Sequence, residues 1–374
     1  MSHNPSILLV AEATGGVARH VIDLYKGLRS RGWRVGMVLS PLRLEARYSD
    51  ELAQLDQADI TYIPMHRAPH ATDLSAIFKI AKILRKTPGG TILHAHSTKA
   101  GMIGSRLHRW PRASVFTPHA YRGVDPTASR FLKTLLKAAE QNFSRHYDRI
   151  LAVAPGEIEY AKSIGIKENV LRCIPNGLDV SDVCFSELRQ QRRRLRAPSR
   201  LGFVGRLVYQ KNPMLFIKVL AEVVRRNHDA RAIIVGDGPM KGNMLRLAEH
   251  LKVVERIEWR GDVGAAQFMP QMDVLVHTSV YEGLPYSLLE ACANLLPVVA
   301  TSNYGSEAIF RARLPNVIAS SADPVELASI LLSMFENDAL RFSQMETLEE
   351  IIKDYSIDAM VSGIEAEYYS LVSN

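Results

Sequence analysis

Short apolar runs alternate with helical stretches along most of the chain, beginning with residues 7–10. That run leads into Thr14-Gly15-Gly16 and a predicted helix at 17–30, which is closed by Gly32. Further strands are predicted in the first half of the chain at 35–39, 60–63, 92–95, 115–117, 150–153 and 170–174. Strands that are separated by helices in this way predict a mainly parallel sheet with right-handed crossovers.

A second series of strands predicts a second sheet of similar architecture. Its members are residues 201–204, 232–235, 257–259, 274–277 and 298–300. Residues 190–198 separate the two series; they are polar and basic and end in Pro198, so we predict a linker or domain-edge surface. A nucleic-acid patch is the alternative, but no interleaved aromatic residues accompany the run. Residues 322–354 are predicted to be mostly helical, with a last helix at 356–373.

The composition is that of an ordinary soluble globular protein with more than one domain. The chain has 374 residues, of which 47% are hydrophobic and 23% charged, so two domains are expected. No apolar run reaches the roughly 18 residues of a membrane span, and residues 1–5 lack the pattern of a signal peptide. Cys173, Cys184 and Cys292 are scattered, which argues against a disulfide framework and indicates a reducing cytoplasm.

The charge is unevenly distributed between the two halves. Residues 1–180 hold 25 basic and 15 acidic side chains, whereas residues 181–374 hold 21 and 24. The first half therefore carries a balance of +10 and the second −3, which suggests that the first half faces something anionic. The alternative is a basic surface that has no partner.

The run from Tyr281 to Ala291 carries the strongest chemical signal. It follows the apolar residues 274–277 and leads into a predicted helix at 287–293. Gly283 and Pro285 turn the chain at the join, so the amides of a helix N-terminus are presented, and such an end suits a phosphate. Glu282 and Glu290 can flank one ligand there and accept hydrogen bonds from sugar hydroxyls. Glutamates near a helix start are, however, also favoured by the helix dipole alone.

The order Glu-Gly-Leu-Pro-x-Ser-x-x-Glu-Ala resembles the Glu-x7-Glu signature of retaining glycosyltransferases of the GT-B fold, especially family 4. The resemblance implies that Glu282 contacts the donor sugar and Glu290 the ribose of the nucleotide. It also implies that the intervening segment holds the diphosphate of the donor: Gly283, Leu284, Pro285, Tyr286 and Ser287.

Three further segments of the second half match the family. Gly205-Arg206 after strand 201–204, followed by Lys211, resembles the pair that binds the donor diphosphate and offsets charge on the leaving group. Gly236-Asp237-Gly238-Pro239 resembles the Gly-x-Gly-Pro turn near the base pocket; Lys241 stands where a dinucleotide motif requires glycine. Trp259 lies where the family lines the nucleobase, although plain core is the alternative.

The first half matches the family at three loops. Gly15 and Gly16 allow close backbone approach to a ligand, and in the family this loop reaches the donor phosphates. His119 matches a histidine that contacts the donor sugar; a lone surface histidine is the alternative. Residues 175–179, Pro-Asn-Gly-Leu-Asp, resemble the run that ends the first domain of the family, and Asn-Gly is a turn signal in any fold.

No essential metal and no cofactor are expected. His94 and His96 share a face at the end of a strand, but no third ligand is spaced to complete a metal site. The chain also lacks the Asp-x-Asp pair by which the other large glycosyltransferase fold holds a divalent ion.

The resemblance implies an α/β protein of the GT-B fold, in which two Rossmann-like domains with mainly parallel sheets face each other across a cleft. We expect residues 1–180, with helix 356–374 crossing back onto them, to bind the acceptor, and residues 181–355 to bind the nucleotide-sugar. The catalytic residues implied are His119, Arg206, Lys211 and Glu282. A sugar-nucleotide epimerase, a phosphorylase and a non-catalytic binding module are the alternatives.

The expected reaction is glycosyl transfer with retention from a nucleotide-diphosphate sugar, with a UDP-sugar favoured over a GDP-sugar. Front-face attack, in which the leaving phosphate helps to deprotonate the acceptor, is preferred over a covalent intermediate. The expected acceptor is a glycan, lipid-linked as in bacterial surface polysaccharide or lipopolysaccharide synthesis. Basic and apolar residues between 122 and 145 predict a helix that docks on the anionic inner face of the plasma membrane; the alternative is that its apolar face packs inside the domain. No nucleic acid partner is expected.

Overall fold

The computed structural model describes residues 5–12, 15–86, 90–193, 199–226 and 229–373. Three parts of the sequence interpretation lie outside these described residues: the first four residues, Thr14 in the first loop, and positions 194–198 of the predicted linker. The chain divides into two compact units. The first unit comprises Met1–Gly177 and Ile357–Asn374, and the second unit comprises Leu178–Ser356.

The first unit is built on a parallel sheet of seven strands in the order β3-β2-β1-β4-β5-β6-β7. Every position of the central strand β1 is buried, because helices cover both faces of a doubly wound sheet. The seven strands expected from the apolar runs are confirmed. They are β1 Ser6–Ala11, β2 Val35–Leu39, β3 Ile60–Tyr62, β4 Thr91–His96, β5 Ala113–Thr117, β6 Arg149–Ala152 and β7 Leu171–Cys173.

Helices connect these strands, and α1, α4 and α6 pack directly against the sheet. In α1, residues such as Val21, Leu24 and Leu28 recur at helical spacing and are fully buried, which fixes the face that packs. The helices of this unit are α1 Gly16–Ser30, α2 Ser49–Ala53, α3 Thr72–Lys86, α4 Ser97–Ser105, α5 Arg130–Ser144 and α6 Pro155–Ser163, with α14 Ile357–Val372 joining them from the end of the chain.

Helix α14 is a full member of the first unit's core. Tyr368 is completely buried and lies edge-on to Trp33, with the ring centroids 6.0 Å apart. Gly27 on α1 leaves room for Val361, whose Cγ2 would lie 2.6 Å from any Cβ added at that position. Arg31 ties the helix further by donating to Glu365 at 2.8 Å. The last helix is therefore required to close the first hydrophobic core.

The second unit is built on a parallel sheet in the order β10-β9-β8-β11-β12-β13. Five of its strands were predicted; the two-residue β13 was not, because so short a run carries no periodicity. The strands are β8 Arg200–Val204, β9 Arg231–Val235, β10 Ile257–Gly261, β11 Val274–His277, β12 Val298–Thr301 and β13 Ile318–Ala319. The helices are α7 Phe185–Arg193, α8 Pro213–Arg226, α9 Lys241–His250, α10 Tyr286–Ala293, α11 Tyr304–Phe310, α12 Pro324–Glu336 and α13 Asp338–Lys353.

The first four residues of the basic run at 190–198 are not a linker, because they end helix α7. Gln190, Gln191 and Arg193 are exposed, as the alternative of a domain-edge surface predicts, whereas Arg192 is only 5% exposed. Its guanidinium donates to the carbonyl oxygens of Met269, Met272 and Asn294 at 3.0, 2.6 and 3.0 Å. Burial lowers its pKa to about 10. The five-donor fork of arginine thus satisfies backbone carbonyls inside the second unit.

Within the described ranges, none of the helices is both long enough and apolar enough to span a bilayer.

Candidate functional site

The predicted donor-binding residues of the second unit lie on loops that follow β8, β9, β10 and β11. The carboxyl ends of parallel strands meet at one edge of a sheet, which is where such folds bind ligands. Backbone hydrogen bonds join three of the loops: Gly205 N–H donates to Val235 at 3.0 Å, and Gly236 N–H donates to Gly261 at 2.7 Å. Leu207 N–H reaches Asp237 at 2.9 Å. The loops therefore form one connected backbone surface.

Gly236 occupies a position that no other residue can fill. Its φ is 143°, and a Cβ built there would lie 2.0 Å from the carbonyl oxygen of Gly205. Backbone atoms cannot move aside as a flexible side chain can. The Gly-x-Gly-Pro turn is thus needed for the close approach of two loops, whatever ligand it also serves.

The loop that carries Lys211 is fixed to the loop after β11. Val280 N–H donates to the Gln210 carbonyl at 2.8 Å, and the Thr278 hydroxyl donates to the carbonyl of Lys211 at 2.8 Å. Asn212 then turns the chain in the left-handed region with φ 45°, where asparagine is tolerated. These contacts set the direction in which the lysine side chain leaves the loop.

Lys211 and Glu282 form a close ion pair. The Lys211 ammonium lies 2.6 Å from Glu282 Oε1, and Gln210 donates to Oε2 of the same carboxylate at 3.3 Å. Burial acts to raise the pKa of Glu282, but the combined effects of Lys211, His277 and Ser279 lower it overall. The ion pair therefore lies in a largely desolvated position, where each side chain is less than one-fifth exposed.

His277 sits beneath this pair and was not singled out by the sequence interpretation. It ends β11, is 4% exposed, and its Nε2 lies 3.2 Å from the hydroxyl of Ser279. Burial, assisted by the nearby charge of Lys211, lowers its pKa to about 3. The imidazole is neutral at physiological pH and adds no third charge to the site. In the sequence, a histidine at the end of the apolar run 274–277 is the feature that could have indicated this buried imidazole.

The run after Glu282 forms the turn and helix that its sequence predicts. Pro285 precedes α10, and its ring supplies no side-chain cap to that helix. Among the described residues, the buried Ser287 hydroxyl makes no hydrogen bond. A helix N-terminus with an unsatisfied hydroxyl beside it is suited to an anion.

A neighbouring helix holds this turn in place. The Asn303 side chain accepts from the amides of Gly305 and Ser306, both at 3.1 Å, and forms a capping box at the start of α11. Gly305 itself packs on the turn: a Cβ there would lie 2.4 Å from Pro285 Cδ and 2.8 Å from the Gly283 carbonyl oxygen. Gly305 is therefore a structural requirement of the Glu282–Ser287 segment.

The remaining predicted residues of the second unit differ in how far they are buried. Arg206 is partly buried on the loop between Gly205 and Leu207, and Glu290 is partly buried on α10. Trp259 is also only partly buried, on the edge strand β10, so it is not a plain core residue. Leu284 and Tyr286 are buried against the unit.

In the first unit, the glycine loop begins α1. Gly15 adopts φ 54°, its N–H donates to the carboxylate of Glu45 at 3.1 Å, and its carbonyl accepts from the Tyr48 hydroxyl at 2.9 Å. Gly16 is the first residue of the helix. Because its φ is positive, the backbone at Gly15 favours glycine whether or not the loop also binds a ligand.

His119 lies in a strained loop that a buried glutamate supports. His119 and Ala120 both have positive φ, 53° and 82°. Glu157 is fully buried and accepts from the amides of Ala120 and Val153 at 2.5 and 2.8 Å. Burial raises the pKa of Glu157 to about 7. Nothing in the local sequence marks Glu157, because its partners are backbone amides 37 and 4 residues away.

The structure corrects the expectation that no third histidine accompanies His94 and His96. His119 approaches His96, with Nε2 3.2 Å from its Nδ1, and His20 on α1 places its ring centroid 4.6 Å from that of His119. His94 instead makes two hydrogen bonds, to Tyr368 at 2.6 Å and Thr117 at 2.8 Å. His20 was missed because it lies 76 residues before His96 in the chain.

Asn176 is likewise buried beside this cluster. Its side-chain oxygen accepts from Nδ1 of His20 at 3.0 Å. The Asn-Gly turn therefore also orients an imidazole. The predicted site residues thus fall into two sets, one around Lys211 and Glu282 in the second unit and one around His119 in the first.

Two family models match the chain, one for each unit. The model described as Glycosyltransferase Family 4 matches residues 14–182, and the model described as Glycosyl transferases group 1 matches residues 198–337. The chain belongs to the family 4 glycosyltransferases. The loops after β8, β9 and β11 of this glycosyltransferase lie within the second match, and its glycine loop and His119 lie within the first.

Relatives of the glycosyltransferase include proteins of bacterial polysaccharide synthesis. It is 24% identical over 320 residues, 81% of each chain, to an Escherichia coli protein named UDP-Gal:alpha-D-GlcNAc-diphosphoundecaprenol alpha-1,3-galactosyltransferase. It is 34% identical over 134 residues to the Salmonella typhi Vi polysaccharide biosynthesis protein VipC/TviE, a match to 35% of this chain and 23% of that one.

The solved structure of Anabaena Alr3699/HepE in complex with UDP and glucose has the same fold. The two structures match with a TM-score of 0.80 over 98% of this chain and 100% of that one, at 18% identity. The predicted GT-B class is therefore confirmed. The glycosyltransferase is an enzyme of that class, with parallel sheets in both units.

Proposed function

We propose that this glycosyltransferase moves a sugar, with retention of anomeric configuration, from a UDP-sugar to a hydroxyl of a lipid-linked glycan. The observation that supports it most is the Lys211–Glu282 pair, which lies at the start of a turn that leads into the N-terminus of α10. A cation and helix amides suit the diphosphate of a nucleotide-sugar, and carboxylates suit the hydroxyls of its sugar and of its ribose.

The diphosphate is met by positive charge from three sources. Arg206 and Lys211 supply cations, and the N-terminus of α10 supplies amides and the positive end of its dipole. As the glycosidic bond breaks, negative charge grows on the departing diphosphate, so these groups stabilise the transition state more than the ground state. Glu282 holds sugar hydroxyls and Glu290 the ribose. Trp259 and Gly236 lie beside the base.

In this mechanism the leaving phosphate helps to deprotonate the acceptor hydroxyl on the same face of the sugar. His119 contacts the donor sugar, and Gly15 and Gly16 approach the phosphates. The charge on the diphosphate is met by protein groups, so we propose that the reaction needs no resident metal and no cofactor. Retention would follow from attack on the face that the leaving group vacates.

Two features support an acceptor at a membrane surface. The relative from Escherichia coli is named for a diphosphoundecaprenol-linked acceptor, which carries an anionic diphosphate and a lipid tail. In this chain α5 exposes Phe131 at 80%, Leu132 at 43% and Leu135 at 56%, beside Lys133 and Lys137. Apolar and basic side chains on one exposed helix fit the interface of an anionic leaflet. We therefore place the enzyme on the cytoplasmic face of the plasma membrane, bound peripherally.

The assignment is tested with the full-length chain, radiolabelled UDP- and GDP-sugars, and short-chain lipid diphosphate sugars as acceptors. We expect transfer from a UDP-sugar to the acceptor without added metal. Arg206→Ala and Lys211→Ala should each lose turnover corresponding to about 2–4 kcal/mol, because each leaves phosphate charge uncompensated. Arg246→Ala, an exposed arginine of α9 in the same unit, is the matched control and should keep wild-type turnover.

Binding of UDP alone separates the roles of the two glutamates. Glu290→Ala should weaken UDP, since the ribose is present in it, whereas Glu282→Gln should bind UDP at close to wild-type affinity and lose turnover. Normal UDP binding by Glu290→Ala would contradict the assignment of Glu290 to the ribose. Release of an epimerised nucleotide-sugar without an acceptor would contradict transfer, and donor binding without any turnover would indicate a binding module.

A further inference from the structure

Three imidazoles from three different elements converge in the first unit. His20 lies on α1, His96 ends β4, and His119 follows β5. One ring nitrogen from each lies within 4.8 Å of the other two. His20 and His96 are at most 1% exposed, and His119 is the partly exposed member, so it marks the route of access.

The protons on these rings leave lone pairs directed into the cluster. Nδ1 of His20 faces the Asn176 carbonyl oxygen, which only accepts, so this nitrogen carries the proton and Nε2 carries the lone pair. Across the described part of the chain, neither Nε2 of His20 nor Nε2 of His96 has a hydrogen-bond partner. Burial lowers the pKa of all three rings, and the neighbouring histidines lower it further for His96 and His119, so the rings are neutral at pH 7.

Two of the rings already have the spacing of zinc ligands. Nδ1 of His96 and Nε2 of His119 are 3.2 Å apart, and two nitrogen lone pairs at that distance repel unless a proton or a cation lies between them. In a tetrahedral zinc site with Zn–N bonds of about 2.0–2.1 Å, neighbouring ligand nitrogens are about 3.3 Å apart. One pair of the cluster already has this spacing, and all three ligand nitrogens lie within 4.8 Å of one another, so a small approach of the rings would complete the site.

We propose that His20, His96 and His119 form a binding site for Zn²⁺ or a similar imidazole-preferring ion, and that a bound ion inhibits the enzyme by withdrawing His119 from the donor sugar. Three neutral imidazoles without a carboxylate suit zinc, copper, nickel or cobalt and not magnesium or calcium. Asn176 acts as the outer partner that fixes the tautomer of a ligand histidine. The inhibitory role rests on the proposed function; the binding site does not.

The site is tested on full-length protein treated with EDTA and titrated with ZnCl₂, CoCl₂ and MgCl₂ by calorimetry. Two further histidine pairs could bind zinc weakly: His66 with His70, and His108 with His146, whose ring centroids lie 4.1 and 4.7 Å apart. His70→Ala/His146→Ala is therefore the reference protein. The reference protein should bind one equivalent of Zn²⁺ and show no binding of Mg²⁺. With Co²⁺ bound, it should give the intense visible absorption bands of tetrahedral cobalt.

Two variants of the reference protein remove one ligand each. His20→Gln keeps an amide to meet Asn176, and His119→Asn keeps a residue that tolerates positive φ. Each should lose at least tenfold in zinc affinity and lose the cobalt bands, while melting within a few degrees of the reference protein in EDTA. Unchanged zinc affinity in both variants, or no zinc binding by the reference protein, would overturn the site.

Inhibition is measured as turnover against free Zn²⁺, each protein relative to its own metal-free rate. We expect half-inhibition of the reference protein at the zinc concentration that half-saturates it, and at least tenfold more zinc for His20→Gln. Saturation of the site with unchanged turnover would overturn the inhibitory role. Absence of turnover in metal-free wild-type enzyme would instead contradict the proposed function, and leave the binding measurement to decide the site.

Discussion

The ion pair joins Lys211, which is proposed to bind the diphosphate, to Glu282, which is proposed to bind the sugar. Each side chain is less than one-fifth exposed, and the two charges lie 2.6 Å apart. Removing either partner leaves the other charge desolvated and uncompensated, which costs more than the pair itself contributes. Loss of activity in a single mutant could therefore come from a disturbed fold as well as from lost chemistry.

A double-mutant cycle separates these effects. Lys211→Met and Glu282→Gln should each destabilise the second unit by about 3 kcal/mol, since each strands a buried charge. The double mutant should recover most of that stability, yet transfer no sugar. Unfolding in urea and turnover are measured on all four proteins. Recovered turnover in the double mutant would exclude both residues from the reaction.

Glu157 is a second residue whose charge depends on its surroundings. Its pKa is raised by burial from 4.5 to about 7, so the folded protein binds its proton more tightly than the unfolded chain does. The stability contributed by this group is therefore present below pH 4.5 and lost as the pH rises through 7, by about 3 kcal/mol in total. The loop of His119 rests on this carboxyl group.

We expect Glu157→Gln to remove that pH dependence. As the pH rises from 5 to 8, the unfolding free energy of wild type should fall by up to about 3 kcal/mol relative to that of Glu157→Gln. Glu159→Gln, on the same helix and exposed, is the control and should follow the wild-type curve. A gap between Glu157→Gln and wild type that is constant with pH would show that Glu157 titrates normally.

Residues whose chemistry follows from a local pattern could be predicted, and those whose chemistry follows from long-range packing could not. Glu282 and Lys211 stand in motifs that define their neighbourhood within a few positions. His20, by contrast, lies on the buried face of an amphipathic helix, where an imidazole looks like any other core side chain. Its partners Asn176 and His96 are 156 and 76 residues away, and only the sheet order brings them together.

At the scale of elements, strands and helices with clear periodicity were predicted well, whereas the solvent exposure of their faces was not. Arg192 shows this from one side: a run of basic residues predicts surface, yet carbonyl groups of the second unit surround its guanidinium. Helix α5 shows it from the other side. Its periodicity predicts an apolar face, but Phe143 is buried while Phe131, Leu132 and Leu135 are exposed.

Helix α3 of the first unit also exposes apolar and basic side chains. Leu74 is 65% and Phe78 71% exposed, and the helix also carries exposed Lys79 and Lys82. Helix α4 packs against both α3 and α5. Two helices of the first unit thus present apolar and basic side chains to solvent, which fits the +10 balance of residues 1–180.

Membrane docking is predicted to depend on these side chains. The double substitution Phe131→Ser/Leu135→Ser should reduce sedimentation with anionic liposomes at least tenfold. It removes apolar side chains that insert into the lipid, and the neighbouring lysines attract the membrane only while the helix lies close to its surface. Leu340→Ser, an exposed leucine of α13, is the matched control. Binding should also fall at high salt and with neutral lipid. Equal, weak binding of wild type to both lipids would exclude docking and leave the transferase assignment intact.

At the scale of the whole molecule, the first unit is discontinuous in sequence. It is assembled from Met1–Gly177 and Ile357–Asn374, and the second unit is contiguous between them. The link to the last helix is specific, since the Tyr368 hydroxyl contacts Nδ1 of His94 at 2.6 Å in a fully buried position. A hydroxyl on the last helix thus supports an imidazole on a central strand.

This contact can be tested with a pair of adjacent tyrosines. Tyr368→Phe should destabilise the first unit by about 1–3 kcal/mol, because it leaves a buried imidazole nitrogen unpaired. Tyr369→Phe, at a position 42% exposed, should change stability by less than about 0.5 kcal/mol. Urea unfolding is followed by tryptophan fluorescence in a Trp259→Phe background, so that the signal comes from Trp33 and Trp110 of the first unit. Equal effects of the two substitutions would refute the structural role of the contact.

The position of α14 also sets an order of events during synthesis. A ribosome makes the chain from the N-terminus, at about 5–20 residues per second. The second unit has its whole sequence available once residue 356 has emerged, whereas the sheet of the first unit, begun hundreds of residues earlier, still lacks the helix that covers Trp33 and His94. The first unit therefore cannot complete its core until the last helix has emerged, although most of its chain is translated first.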